Sequence, residues 1–169
     1  MIYVCPLSRI DETVSACGGG WLLSLLAEGT GVTRPASIAA ERHLHLSFHD
    51  IAEAQEGLTP PGESHVQAVL DFARGWDRSK PLVVHCYAGI SRSTASAYII
   101  AAALAPHRDE AELATTLRKL SPSATPNPRL IALADRMLGR DNRMVEAIRS
   151  IGRGAEAFEG VPFRLDIDA

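Results

Sequence analysis

The stretch His85-Cys86-Tyr87-Ala88-Gly89-Ile90-Ser91-Arg92-Ser93 has the residue types and spacing to do chemistry. Leu82-Val83-Val84-His85 before it reads as a buried strand following Pro81, and Ser93 to Ala105 after it reads as a helix. A helix N-terminus offers unpaired N–H groups and the positive end of the macrodipole, a geometry that binds anions and phosphate above all. Gly89 lets the backbone curl so that successive N–H groups point inward as a nest. Arg92 stands where the helix starts and can grip two phosphate oxygens at once. Helix N-termini and cationic neighbours favour a thiolate, so Cys86 is expected to attack the phosphorus of a bound phosphate and form a phosphocysteine. The N–H groups of Tyr87, Ala88, Gly89, Ile90 and Ser91, with Arg92, would stabilise charge on the equatorial oxygens. In this reading those loop residues bind through their backbone only. Ser93 would place a hydroxyl near the sulfur and help it leave in the second step. A lone cysteine at a strand end is by default a buried structural thiol; Gly89 and Arg92 argue against that here.

His85-Cys86, five residues, then Arg92-Ser93 resembles the signature loop of the cysteine-dependent protein tyrosine phosphatase superfamily. The fuller string His-Cys-x-x-Gly-x-Ser-Arg-Ser resembles its dual-specificity branch. The resemblance is clearest over residues 40–138, and the whole is similar to compact bacterial tyrosine-phosphatase-like proteins. It implies a general acid on a separate loop before the cysteine, because the leaving oxygen needs a proton. Asp50 fits best, since Leu44-His45-Leu46-Ser47-Phe48-His49-Asp50-Ile51 resembles the family's strand-then-acid segment. Glu53 and Glu56 compete in the same loop, Asp71 and Asp77 read as solvated surface, and the plain alternative for Asp50 is a cap or turn residue. The resemblance also implies a loop-stabilising role for His85, which could equally be a core histidine. Pro126-Asn127-Pro128 resembles a Pro-Asn element that supports the signature loop in several dual-specificity phosphatases, and Asn127 could equally be a turn residue.

The function implied is phosphomonoester hydrolysis on a phosphorylated protein, with no cofactor and no metal. One alternative substrate is a lipid, nucleotide or other small phosphate. The lipid option is weakened because no lysine lies between Cys86 and Arg92. A phosphate-binding module without turnover is a second alternative. A third is rhodanese-type sulfur transfer, whose loop usually has one residue fewer.

The elements that must position these residues alternate between strand and helix, which favours an α/β fold. The expected architecture is one domain over residues 1–169, with a central, mainly parallel sheet of four to five strands flanked by helices. Strands are expected at Ile2–Pro6, Trp21–Leu26, His43–Phe48 and Leu82–His85. Helices are expected at Glu12–Cys17 with Asp11 as cap, Glu63–Trp76, Ser93–Ala105, Asp109–Leu120, Arg129–Leu138 and Asn142–Ile151. Leu113, Leu117 and Leu120 form one apolar stripe in the fourth of these. Val161, Phe163, Leu165 and Ile167 alternate, as in a last strand or an extended surface segment, which could also pair with another chain.

Formal net charge is -3 and 46% of residues are hydrophobic, which allows a sizeable core and leaves no basic face for nucleic acid. Cys5, Cys17 and Cys86 are an odd number without regular spacing, so no disulfide framework is expected and a reducing, cytoplasmic setting is the natural reading. Cys17 has no feature that selects it as a redox partner for Cys86. The start of the chain lacks the basic region of a signal peptide, and Ala97 to Ala105, the longest apolar run, is too short for a membrane span. His43, His45 and His49 share a face, but no Cys or Glu completes a metal set at convincing spacing, so they read as solvated or packing residues.

Overall fold

The computed structural model describes residues 1–168. Its sheet is built from β1 (Ile2–Pro6), β2 (Trp21–Leu26), β3 (His43–Ser47), β4 (Leu82–Cys86) and β5 (Phe163–Leu165), in the order β3-β2-β4-β1-β5. The first four strands run parallel, and β5 pairs antiparallel with β1, Ile2 facing Leu165 and Val4 facing Phe163. The alternating tail is therefore the edge strand of this sheet. Phe163, Leu165 and Ile167 are buried by it, while Val161 stays exposed.

The inner strands are apolar on both faces, as a covered parallel sheet requires. Ile2, Val4, Leu23, Leu25, Leu82 and Val84 face the larger core, and Cys5, Leu22 and Val83 face a smaller one. The smaller core is closed by α1 (Ile10–Cys17) through Ile10 and Val14. The larger is closed by α2 (Glu63–Gly75), α3 (Arg92–Leu104), α4 (Glu110–Leu120), α5 (Pro128–Met137) and α6 (Arg143–Ile151). α3 is buried from Arg92 through Ala102, which explains why its sequence shows no polar face.

Several boundaries differ from the sequence reading, each for a local reason. Asp11 does not cap α1, because a 3₁₀ turn over Leu7–Arg9 feeds the helix directly and puts Asp11 inside its first turn. Asp109 and Asn142 lie just outside their helices as N-caps; the Asp109 carboxylate accepts from the Ala111 and Glu112 N–H groups. Leu120 leaves the apolar stripe of α4 and is exposed, whereas Leu113 and Leu117 are buried with Ala114. Among the described residues, no helix is long and apolar enough to cross a membrane.

Candidate active site

β4 delivers Cys86 to the sheet's C-terminal edge, and α3 begins six residues later at Arg92. Between them the chain turns at Gly89, whose φ is +70°. A Cβ there would lie 2.7 Å from the Pro6 nitrogen and 2.8 Å from the Cys5 carbonyl carbon, so only glycine lets the loop press against the end of β1. Among the described residues, the N–H groups of Ala88, Gly89, Ile90, Ser91 and Arg92 donate to no protein acceptor. Cys86 is 2% exposed, and its Sγ lies 3.1 Å from the Ser93 Oγ.

Arg92 is the telling residue. It is 6% exposed, its Nη1 donates to the Phe48 carbonyl at 2.9 Å, and its Nε has no partner among the described residues. Among the described residues, no carboxylate lies within ion-pair distance of it. The other buried arginine, Arg140, is paired with Glu110 at 3.0 Å. A buried guanidinium without a counter-charge is costly, and beside N–H groups that lack an acceptor among the described residues it is suited to holding an anion.

His85 is fully buried behind the loop. Its Nε2 is 2.6 Å from the Ser24 Oγ and its Nδ1 is 3.3 Å from the Cys86 carbonyl oxygen. Burial pushes its pKa down to about 4, so the ring is neutral at physiological pH. The Ser24 hydroxyl also meets the His43 Nε2 at 2.8 Å, forming a chain from β3 through β2 to the cysteine's backbone. Sequence reasoning missed Ser24; its only signal there is one polar residue inside the apolar run Trp21-Leu22-Leu23-Ser24-Leu25-Leu26. The other histidines on that side are engaged separately. His45 lies parallel to His43, and the His49 Nδ1 accepts from the Thr59 N–H at 3.0 Å.

No protein-family model and no curated protein matches this chain. Solved structures do. DUSP15 superposes with a TM-score of 0.64 at 15% identity, over 89% of each chain. The fold is that of the dual-specificity phosphatases. The human tyrosine phosphatase-like serine/threonine/tyrosine-interacting protein superposes with a TM-score of 0.65 at 14% identity, over 83% of this chain and 92% of that one. PTPMT1 in complex with PI(5)P gives 0.60 at 14%, over 89% and 92%. The likeness takes in more of this dual-specificity phosphatase fold than the 40–138 segment that the sequence singled out.

In this phosphatase fold Asp50 lies two residues beyond Phe48, on the loop between β3 and α2, and reaches the signature loop. Its Oδ1 accepts from the Ser91 Oγ at 2.7 Å and from the Asn127 Nδ2 at 2.8 Å. Among the described residues its Oδ2 accepts no hydrogen bond. The Ser91 hydroxyl therefore tethers Asp50, a contact beyond the backbone role expected of this residue. The Asn127 side chain differs from expectation: it holds the Asp50 loop rather than the loop after Cys86, its Nδ2 reaching the Ile51 carbonyl at 3.3 Å as well. Its Oδ1 caps α5 by accepting from the Arg129 and Leu130 N–H groups. Support for the signature loop comes from the backbone instead, Thr125 N–H to the Ile90 carbonyl at 2.9 Å and Asn127 N–H to that of Ser91 at 3.3 Å. Arg129 adds a 2.7 Å bond to the Pro61 carbonyl, clamping the far end of the acid loop. Glu53 and Glu56 are exposed and, among the described residues, make no hydrogen bond to the loop after Cys86.

A cleft of about 860 Å³ opens beside Asp50, floored by Ile90, Ser91 and Asn127. Its far wall is formed by residues 153–158 of the segment that follows α6, which the sequence reading passed over.

Proposed function

We propose that this chain is a cysteine-dependent phosphomonoester hydrolase of the protein tyrosine or dual-specificity type. The observation that carries the reading is the buried, uncompensated Arg92 beside the buried Cys86, at the mouth of a loop of unpaired N–H groups. Phosphate enters with its oxygens toward those N–H groups and the free Nε of Arg92. The Cys86 thiolate forms a bond to phosphorus as the bond from phosphorus to the substrate oxygen breaks. Asp50, protonated on Oδ2, gives that proton to the departing oxygen. Water then attacks the phosphocysteine, Asp50 takes one of its protons, the sulfur–phosphorus bond breaks, and inorganic phosphate leaves. Ser93 donates a hydrogen bond to the returning thiolate. The nucleophile requires reduced cysteine, which suits a reducing, cytoplasmic compartment.

The test is hydrolysis of p-nitrophenyl phosphate in a chelator, with and without vanadate, by wild type and Cys86→Ser. Activity that vanadate blocks and the substitution abolishes is expected. Vanadate binding without turnover in freshly reduced wild type would leave only a phosphate-binding module.

A further inference from the structure

The segment after α6 returns across the active-site edge before it becomes β5. Arg118 holds its start through the Ile151 and Gly152 carbonyls at 2.7 and 3.0 Å. Gly154 N–H donates to the Thr125 Oγ1 at 3.1 Å and Ala155 N–H to the Pro122 carbonyl at 2.9 Å. At the far end Gly160 N–H donates to the Ala88 carbonyl, inside the signature loop, at 2.8 Å. A Cβ on Gly154 would stand 2.5 Å from the Ser123 carbonyl, and one on Gly160 2.8 Å from that of Gly89, so both anchors are close backbone contacts. Between two fixed anchors the segment bears Phe158, which is 91% exposed yet lines the cleft with Asp50 and Ile90. A large aromatic ring held in water on a pinned strap is an unsatisfied apolar surface beside a binding cleft.

Asp50 lines this cleft together with Ile90 and Ser91 of the loop, so in the phosphatase reading a leaving group that takes its proton from Asp50 extends into it. The cleft's volume suits a drug-sized or peptide-sized group rather than a single ring. Besides Asp50, its ionisable lining is Glu156 and Arg153, one of each sign. A single cation beside a carboxylate gives a polyanion such as a phosphorylated inositol headgroup no net positive surface to bind.

Resting on the phosphatase reading above, we propose that the strap 153–158 is the leaving-group recognition wall and that Phe158 sets specificity. Its ligand is an apolar side chain flanking the phosphorylated residue of a polypeptide.

The experiment uses phosphotyrosyl peptides that differ only in having Leu or Ala on both sides of the phosphorylated residue, together with p-nitrophenyl phosphate and a short-chain phosphoinositide. Wild type should prefer the Leu peptide by about tenfold in kcat/KM, mainly through KM. Phe158→Ala should bring that ratio near one, and Phe158→Trp should keep it. Phe158 is exposed, so neither substitution touches the core. Wild type that hydrolyses p-nitrophenyl phosphate but shows no Leu preference, or Phe158→Ala that retains it, overturns the strap proposal alone. A phosphoinositide turned over better than every peptide overturns the polypeptide assignment. Failure on all substrates, p-nitrophenyl phosphate included, overturns the phosphatase reading with it.

Discussion

Asn127 Nδ2 lies 2.8 Å from Asp50 Oδ1 while the Oδ1 of the same amide caps α5, so one buried side chain fixes both the acid loop and a helix start. The two roles separate by substitution. Asn127→Asp keeps a good cap but sets two carboxylates against each other. That buried repulsion should cost thermal stability and lower kcat on poor leaving groups by about tenfold or more. Asn127→Ala should lose roughly 1 kcal/mol of stability as well, from the cap alone. Thermal melts beside kcat measurements distinguish the two patterns. Wild-type stability and kcat in Asn127→Asp would mean that the Asp50 contact contributes nothing separate.

Asp50→Ala should cost about 10²–10⁴-fold in kcat on an alkyl or phenyl phosphate and far less on an activated nitrophenyl ester, whose oxygen leaves without a proton. A leaving-group series on both proteins measures this. Uniform loss across the series would reassign Asp50 to holding Ser91 and Asn127 in place.

The neutral, buried His85 makes stability depend on pH in a definite direction. Its folded pKa, lowered by burial to about 4, lies below the ordinary value of 6.5, so the unfolded chain binds the proton first as pH falls. The stabilisation is complete above pH 6.5 and is lost between there and pH 4. It amounts to roughly 3 kcal/mol. Burial also lowers the pKa of His43 and of His65, and both add to the same slope. Urea midpoints measured across this window should fall steadily, and His85→Asn should flatten the slope. An unchanged slope in that variant would place the titrating group elsewhere.

The cysteines should differ in reactivity. Burial pushes the Cys5 pKa up to about 12 and raises that of the half-buried Cys17 as well. Neither is an effective nucleophile at neutral pH. Brief iodoacetamide treatment at pH 7 followed by mass spectrometry should find label on Cys86, with vanadate protecting it, and none on Cys5. Label on Cys5 ahead of Cys86 would contradict the site geometry.

Gly89→Ala should be damaging twice over. The positive φ strains any side chain, and the new Cβ would meet the β1 backbone. A stability loss of roughly 1–3 kcal/mol is expected, with vanadate affinity falling as the nest distorts. Wild-type vanadate binding in this variant would show that the loop tolerates displacement.

Features that depend on near neighbours are legible in the chain itself. The strand over Leu82–His85, the turn at Gly89 and the helix from Ser93 follow from periodicity and turn chemistry within a dozen residues, each element gaining one residue in the structure, Cys86 and Arg92, so local pattern alone puts Cys86, Arg92 and Ser93 together. The inner strands are legible for the same reason, since covered strands are apolar throughout, and β3 is legible by its alternation of His and Leu. The helix ends are less so, because Asp109 and Asn142 suit a cap as well as a first turn. It takes the packed fold to show that Ser91 and Asn127 both grip Asp50, that Ser24 bridges His43 and His85, and that Phe158 stands over the cleft. The hydrogen bonds among them join residues 19 to 77 positions apart, the Ser24–His43 and Asp50–Asn127 bonds being the extremes. Such pairings are set by how β2, β3, α5 and the returning strap pack around one core, and a single polar residue carries no local pattern that names its distant partner.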